Sequence, residues 1–76
     1  MIERELRRAL AVELRAAWKE SGLTQMELAC LAKLTQPTIS DLFRGRYRAP
    51  SWDMLAAVSQ ALGYDIELSG RLIVRK

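Results

Sequence analysis

Two short helical segments separated by a tight turn are the feature that most constrains how this chain can fold. Thr24 is a suitable N-cap, because its hydroxyl can accept a hydrogen bond from a free backbone N–H, and Glu27 three residues later completes a capping box. After about two helical turns a tight turn is expected. Thr35 then caps a second segment, and Pro37 lies in its first turn, where a proline removes no hydrogen bond. This pattern predicts a helix-turn-helix.

A long helix is expected to precede this pair, because apolar side chains recur at every fourth position, which is the spacing of one helix face. The recurring residues are Ile2, Leu6, Leu10, Leu14 and Trp18. Gly22 occupies the usual place of a left-handed residue that ends a helix. The apolar stripe indicates core and dimer packing rather than a cofactor site, and the Trp18 ring is expected to pack against Phe43.

A fourth helix is predicted after a loop over residues 46–50, with Ser51 as its N-cap and Gly63 at its end. The period then changes to alternation, which is typical of a strand with one buried face. The apolar positions of that strand are Tyr64, Ile66 and Leu68. The dipeptide at 69–70 interrupts it, and residues 71–75 either extend it or form a second short strand.

Together these elements predict one mainly α domain over residues 1–76, in the order long N-terminal helix 1–22, helix-turn-helix 24–45, fourth helix 51–63 and C-terminal strand segment 64–75. Half of the 76 residues are apolar, so a real core can form. A core this small supplies only a few kcal/mol of net stability, and dimerisation would add to it.

Several classes of site are excluded or disfavoured by composition. The chain has no histidine, the commonest general base and metal ligand, and its single cysteine, Cys30, can form neither an internal disulfide nor a cysteine metal site. There is also no glycine-rich phosphate loop, so we expect no catalytic residue, no metal, no cofactor and no enzyme. An inert, half-buried Cys30 is favoured over an exposed, redox-sensitive thiol.

The compartment expected is the cytoplasm. No apolar run approaches the roughly 20 residues that span a membrane. The N-terminus carries acids and lacks a hydrophobic signal region, so it does not match an export signal. We therefore expect no membrane contact.

Positive charge is concentrated just past the predicted third helix. Residues 42–52 contain Arg44, Arg46 and Arg48 and no acid, and Gly45 is the expected helix end. A second basic zone covers residues 71–76. Such a cluster is either a solvated face, helped by the helix dipole, or a contact surface for a polyanion.

The segment LTQMELACLAKLTQPTISDLFRGR, residues 23–46, resembles the lambda repressor-like (Xre-type) helix-turn-helix DNA-binding family. The positions in register with that family are Thr24, Gln25, Glu27, Leu28, Ala29, Thr35, Gln36, Ile39, Ser40 and Gly45. Lys33 stands where the family usually has glycine, so a left-handed turn there would be strained by roughly 1 kcal/mol. The C-terminal ALGYDIELSGRLIVRK resembles antitoxins of the HigA and HipB kind, in which a C-terminal strand can pair across a dimer.

The resemblance implies that the third helix lies in the major groove of double-stranded DNA. The expected base contacts are Gln36, Pro37, Thr38, Ser40 and Asp41, and the expected phosphate contacts are Gln25, Thr35, Arg44, Arg46 and Arg48. Gln36 suits adenine N6 and N7, Pro37 a thymine methyl, and Asp41 cytosine N4.

Each assignment has a plainer alternative. In that alternative, Gln25 and Gln36 are ordinary polar residues of the surface, and the Ser40 hydroxyl bonds back to a carbonyl of its own helix. Asp41 would simply be solvated, and Arg48 would lie too far round the loop to reach DNA.

The function predicted is a sequence-specific transcriptional repressor that binds a palindromic operator as a homodimer and, within that class, an autoregulating antitoxin with a cognate toxin protein as a further partner. The alternative is a protein-interaction module, toxin-neutralising or binding a prophage regulatory partner, in which DNA binding is secondary. The first helix or the C-terminal strand would then carry the contact.

Overall fold

The computed structural model describes residues 2–67 and 72–74 of the chain. Its elements are α1 (Ile2–Ser21), α2 (Gln25–Ala32), α3 (Gln36–Phe43), α4 (Trp52–Ala61), β1 (Tyr64–Ile66) and β2 (Leu72–Val74). The predicted mainly α fold with four helices is confirmed. In the part of the chain that the structure describes, no helix is both long and apolar enough to cross a bilayer.

The first helix follows its apolar stripe. Leu10 and Leu14 are fully buried, as one face of an amphipathic helix requires. The Trp18 and Phe43 rings lie 5.2 Å apart between centroids with a 31° interplanar angle, so the expected aromatic contact is confirmed. Gly22 adopts a left-handed conformation directly after the helix, with φ of +78°.

The α2–turn–α3 unit is the predicted helix-turn-helix. Lys33 is left-handed, with φ 59° and ψ 40°. Its N–H donates to the Cys30 carbonyl at 3.2 Å, and the Leu34 N–H donates to the Ala29 carbonyl at 2.9 Å. These two bonds form a Schellman motif, which satisfies carbonyls at the end of α2 and directs the chain into α3.

One core joins the four helices. Its members are Leu10, Ala11, Leu14, Leu28, Ala29, Ala32, Ile39, Leu42, Phe43, Leu55 and Val58. The apolar face of α3 therefore points into the domain, and the opposite face is left toward solvent. Cys30 is exposed, so the favoured expectation of a half-buried thiol is wrong. Cys30 lies on the outer side of the short α2 beside Leu31, which is 58% exposed.

The fourth helix lies within the predicted 51–63 span. The Ser51 hydroxyl accepts from the Met54 N–H at 3.1 Å, which confirms the N-cap. Gly63, with φ of +89°, follows the last turn and lets the chain reverse toward the strands.

The C-terminal segment forms an antiparallel hairpin rather than a single strand. Tyr64 pairs with Val74 and Ile66 with Leu72, so the second-strand alternative is the one adopted. Ile66 and Leu72 pack against the core, which fixes the hairpin on the helices. Leu68, the dipeptide at 69–70 and the ends of the 71–75 segment lie outside the described residues. One edge of β1 is thus paired within the chain.

Candidate nucleic-acid interface

The third helix divides into a buried face and an outer face. Ile39 is fully buried, and Leu42 and Phe43 are buried beside it. The predicted base-contacting residues lie on the rest of the surface: Gln36 and Pro37 are exposed, and Thr38, Ser40 and Asp41 are half-buried. The core side of α3 thereby holds its polar side in a fixed orientation.

A side-chain hydrogen bond joins the starts of α2 and α3. Gln36 Nε2 donates to Gln25 Oε1 at 3.0 Å. Gln36 keeps one N–H donor and its carbonyl oxygen, while Gln25 keeps both of its N–H donors. The two glutamines, eleven residues apart in the sequence, therefore form one prearranged polar unit with defined unused groups.

The hydroxyls at the start of α3 are arranged differently from one another. Thr35 Oγ1 accepts from the Thr38 N–H at 3.3 Å, and the two threonine hydroxyls lie 2.7 Å apart. The Thr38 hydroxyl is therefore held toward the cap. Ser40 makes no side-chain hydrogen bond to any described residue, so the expected alternative of a bond back to a helix carbonyl is not found.

The end of α3 brings an acid and a base together. Arg46 Nε lies 3.6 Å from Asp41 Oδ1, and the Arg46 N–H donates to the Asp41 carbonyl at 3.0 Å. The left-handed Gly45, with φ of +75°, allows this reversal. The pair is largely exposed and so contributes little to stability, but it sets Arg46 beside the outer face of α3.

The other two arginines of the cluster, Arg44 and Arg48, are exposed, and Pro50 at the end of the loop is buried. The Pro50 carbonyl accepts from Arg7 Nη1 of α1 at 3.3 Å. Arg7 is not among the site residues predicted from the sequence, since its one local signal there is the helical spacing to Glu3. Arg7 Nη2 does pair with Glu3 Oε1, at 2.7 Å.

The structure thus brings together Gln25, Gln36 and the α3 surface, with Arg46 at the far end of that surface. In the ranges described, no group of three or more histidine, cysteine, aspartate or glutamate residues is placed to hold a metal ion. The described geometry consists of polar hydrogen-bonding groups and cations on one helix and its flanks. Such an arrangement suits contact with a polyanion that carries hydrogen-bonding edges, as a nucleic acid does.

Comparison with known proteins agrees with this geometry. A family model described as a helix-turn-helix domain matches residues 9–72. The match includes α2, α3 and α4 completely and omits about the first two turns of α1. A search of curated proteins and a search of solved structures each gave no significant match.

Proposed function

This chain belongs to the helix-turn-helix domain family, and we propose that it is a cytoplasmic, sequence-specific transcriptional repressor whose α3 enters the major groove of double-stranded DNA. The observation that carries the proposal is the hydrogen bond between Gln36 and Gln25.

This bond leaves each glutamine with the groups its proposed contact needs. The remaining N–H and the carbonyl oxygen of Gln36 match N7, an acceptor, and N6–H, a donor, on one adenine edge. The free amide N–H groups of Gln25 match phosphate oxygens, and the N-terminus of α2 adds a favourable dipole. Gln25 would therefore fix the orientation of Gln36 while it anchors the protein to the backbone.

The charged residues have separate roles in this proposal. Arg44, Arg46 and Arg48 neutralise phosphates and release counterions, which raises affinity for any sequence. Asp41 is partly neutralised by Arg46 and can accept from cytosine N4 or repel sequences that offer no donor there. Pro37 and Ser40 complete the outer surface, toward a thymine methyl and a base edge respectively.

The test is binding by fluorescence anisotropy to a duplex taken from directly upstream of this protein's own reading frame and to a scrambled duplex, each at two salt concentrations. We expect Gln36→Ala to weaken binding to the upstream duplex by roughly 1–3 kcal/mol and to leave binding to the scrambled one unchanged. Arg46→Ala should weaken binding to both duplexes. It should also reduce the salt slope, which is the steepness with which the logarithm of the binding constant falls with the logarithm of the salt concentration, by about 1.

The matched control is Gln60→Ala, since Gln60 is an exposed glutamine on α4, a helix that carries none of the proposed DNA contacts. It should bind like the unaltered protein. Equal losses on both duplexes for Gln36→Ala and Arg46→Ala would contradict the division into base and phosphate contacts. Equal, weak binding of the unaltered protein to both duplexes would contradict sequence-specific repression.

A homodimer on a palindromic operator is the second part of the proposal. The hairpin leaves further strand edges for pairing across a two-fold axis, and Trp52 beside it is 38% exposed. Light scattering should give a dimer for the full chain and a monomer of retained helicity for a chain cut after Gly63. An unchanged dimer after the cut would move the interface to α1.

An autoregulating antitoxin is the narrower form of this function. It is supported by the strand hairpin that follows α4, in keeping with the resemblance to HigA- and HipB-kind antitoxins. Co-expression with the product of the adjacent reading frame should then give a co-purifying complex that still binds the upstream duplex. Separate purification of the two proteins would leave a repressor without an antitoxin role.

One observation favours the alternative of a protein-interaction module. A groove of about 320 Å³ lies between α1 and the α3–α4 loop, and Val12 on its rim is 70% exposed. Arg8 and Arg15 flank it. If the protein binds no DNA but captures a partner through this groove, the Val12→Asp variant should abolish that capture and leave the fold intact.

A further inference from the structure

Arg7 makes two contacts that connect the start of α1 to the start of α4, and a third within α1. Its Nη1 donates to the Pro50 carbonyl at 3.3 Å, and its Nη2 pairs with Glu3 at 2.7 Å. Its guanidinium carbon lies 5.9 Å from the centre of the Trp52 ring, within cation–π range. The guanidinium is therefore held from two sides, by an acid on its own helix and by an aromatic face on another.

The loop that receives this contact has few other polar attachments. The Arg46 N–H is bonded to the end of α3, and Ser51 caps α4. Between them, the N–H groups of Tyr47, Arg48 and Ala49 donate to no backbone carbonyl of the described residues. Within the described part of the chain, the Arg7–Pro50 bond is thus the one hydrogen bond that attaches the stretch 47–50 to the rest of the domain.

Arg7 also lies outside the part of the chain that matches the family model, which begins at residue 9. The first two turns of α1 therefore lie outside the matched range, and through Arg7 they contact a loop inside it. The neighbouring Arg8 carries the same charge, is exposed, and forms neither a hydrogen bond nor an ion pair with any described residue. This neighbour separates the effect of charge from the effect of the contact.

We propose that Arg7 is a positioning residue for DNA binding: its bond to the Pro50 carbonyl holds the 47–50 loop in the conformation in which Arg48 reaches a phosphate. The inference rests on the proposed DNA-binding function. Tyr47 packs against the core and Pro50 is buried, so the Arg7 bond acts on the backbone that remains between these two anchors and that carries Arg48. The more freedom this backbone has in the free protein, the more it must lose when Arg48 binds a phosphate. Arg7 acts through Arg48 and does not itself touch DNA.

The first experiment needs no DNA. Backbone ¹⁵N relaxation should give order parameters for Arg48 and Ala49 near the rigid value of about 0.85 in the unaltered protein. Arg7→Met keeps much of the aliphatic stem and removes the charge and the donors. It should lower those order parameters toward the flexible range, below about 0.6, whereas Arg8→Met should leave them unchanged.

The second experiment is a double-mutant cycle on the upstream duplex as a function of salt. Arg48→Gln in the unaltered protein should reduce the salt slope by about 1, as the loss of one phosphate contact does. Arg7→Met should reduce the slope by about the same amount, and adding Arg48→Gln to Arg7→Met should reduce it no further. The affinity at fixed salt should fall about fivefold for Arg7→Met and remain unchanged for Arg8→Met.

The outcomes separate the two proposals. If the unaltered protein shows no sequence-dependent DNA binding, the proposed function fails, and the order parameters still decide whether Arg7 holds the loop. If binding is sequence-dependent but Arg7→Met matches Arg8→Met in order parameters and salt slope, the positioning role is overturned. If Arg7→Met does not fold, Arg7→Gln is the substitute, since its shorter side chain cannot reach Pro50. Additive losses of salt slope for Arg7→Gln and Arg48→Gln would also overturn the positioning role.

Discussion

The two helices of the helix-turn-helix have the same length and the same kinds of cap, but the details of the caps differ at both ends. Helices α2 and α3 each contain eight residues, begin after a threonine N-cap and end in a Schellman motif with a left-handed residue. In α2 that residue is Lys33, and in α3 it is Gly45. The same capping arrangement thus occurs in α2, which supports its neighbour, and in α3, which exposes the proposed contact surface.

The helix starts differ in how many backbone groups the cap satisfies. In α2 the Thr24 hydroxyl accepts from the Glu27 N–H at 3.0 Å, and Glu27 Oε1 accepts from the Thr24 N–H at 2.8 Å. In α3 the Thr35 hydroxyl accepts from Thr38 at the longer distance of 3.3 Å, with no reciprocal carboxylate. The start of α3 therefore keeps its side chains neutral and outward-facing, at some cost in local stability.

The helix ends differ in strain. Both residues are left-handed, a conformation in which a Cβ is crowded. Lys33 carries a Cβ and is strained, whereas Gly45 has no Cβ and is not. The following residue differs as well, because Leu34 packs against the core while Arg46 is exposed. Partial burial of Leu34 thus stabilises the strained turn after α2, whereas the turn after α3, which leads to the exposed Arg46, contains the unstrained glycine.

Removal of the two N-caps should have the largest effects on stability, and these should differ between α2 and α3. Thr24→Ala should lower the free energy of unfolding by about 1–2 kcal/mol, and Thr35→Ala by about 0.5–1 kcal/mol, because the first cap belongs to a reciprocal box with shorter bonds. Urea unfolding monitored by circular dichroism, with unchanged m-values, measures both.

Thr24→Ser and Thr35→Ser are the matched controls, since each keeps the hydroxyl acceptor and should stay within a few tenths of a kcal/mol of the unaltered protein. Equal losses for the two alanine variants would mean that the capping box adds nothing beyond a single bond.

Substitutions at the two left-handed residues should change the free energy of unfolding in opposite directions. Gly45→Ala should destabilise by about 1 kcal/mol, because its left-handed backbone disfavours a Cβ although no heavy atom lies within 4 Å of that position. Lys33→Gly should stabilise by about 0.5 kcal/mol, since relief of strain exceeds the added entropy of the unfolded chain. Thermal and urea unfolding measure both.

Asparagine provides the control at Gly45, because it tolerates the left-handed conformation better than alanine. Gly45→Asn should lose less stability than Gly45→Ala. If Lys33→Gly lowers the free energy of unfolding instead, the lysine side chain stabilises the fold by more than its strained backbone destabilises it.

Much of the fold could be predicted because its signals are local. The capping box at Thr24, the cap at Thr35 and the left-handed turn at Lys33 depend on residues within four or five positions of one another. The Trp18–Phe43 contact spans more of the chain, but it follows from two apolar faces that must share one small core.

The parts that could not be predicted depend on how the elements pack. The full exposure of Cys30 depends on whether another part of the chain covers the outer side of α2, which the spacing along the helix does not tell. The hairpin required a choice between one long strand and two short ones, which alternation alone does not make. Assignment of the base and phosphate contacts stays a prediction for every residue.

The sequence by itself determined the order of the four helices and their N-caps, that α2 and α3 form a helix-turn-helix, and which face of α3 is polar. Hydrogen bonds and apolar spacing over three to five residues suffice for these features. Only the tertiary structure decided that Gln36 bonds Gln25 and that Arg7 reaches Pro50, 43 residues along the chain. Such contacts depend on the angles and distances at which helices pack, and these are set by the whole core rather than by any one segment.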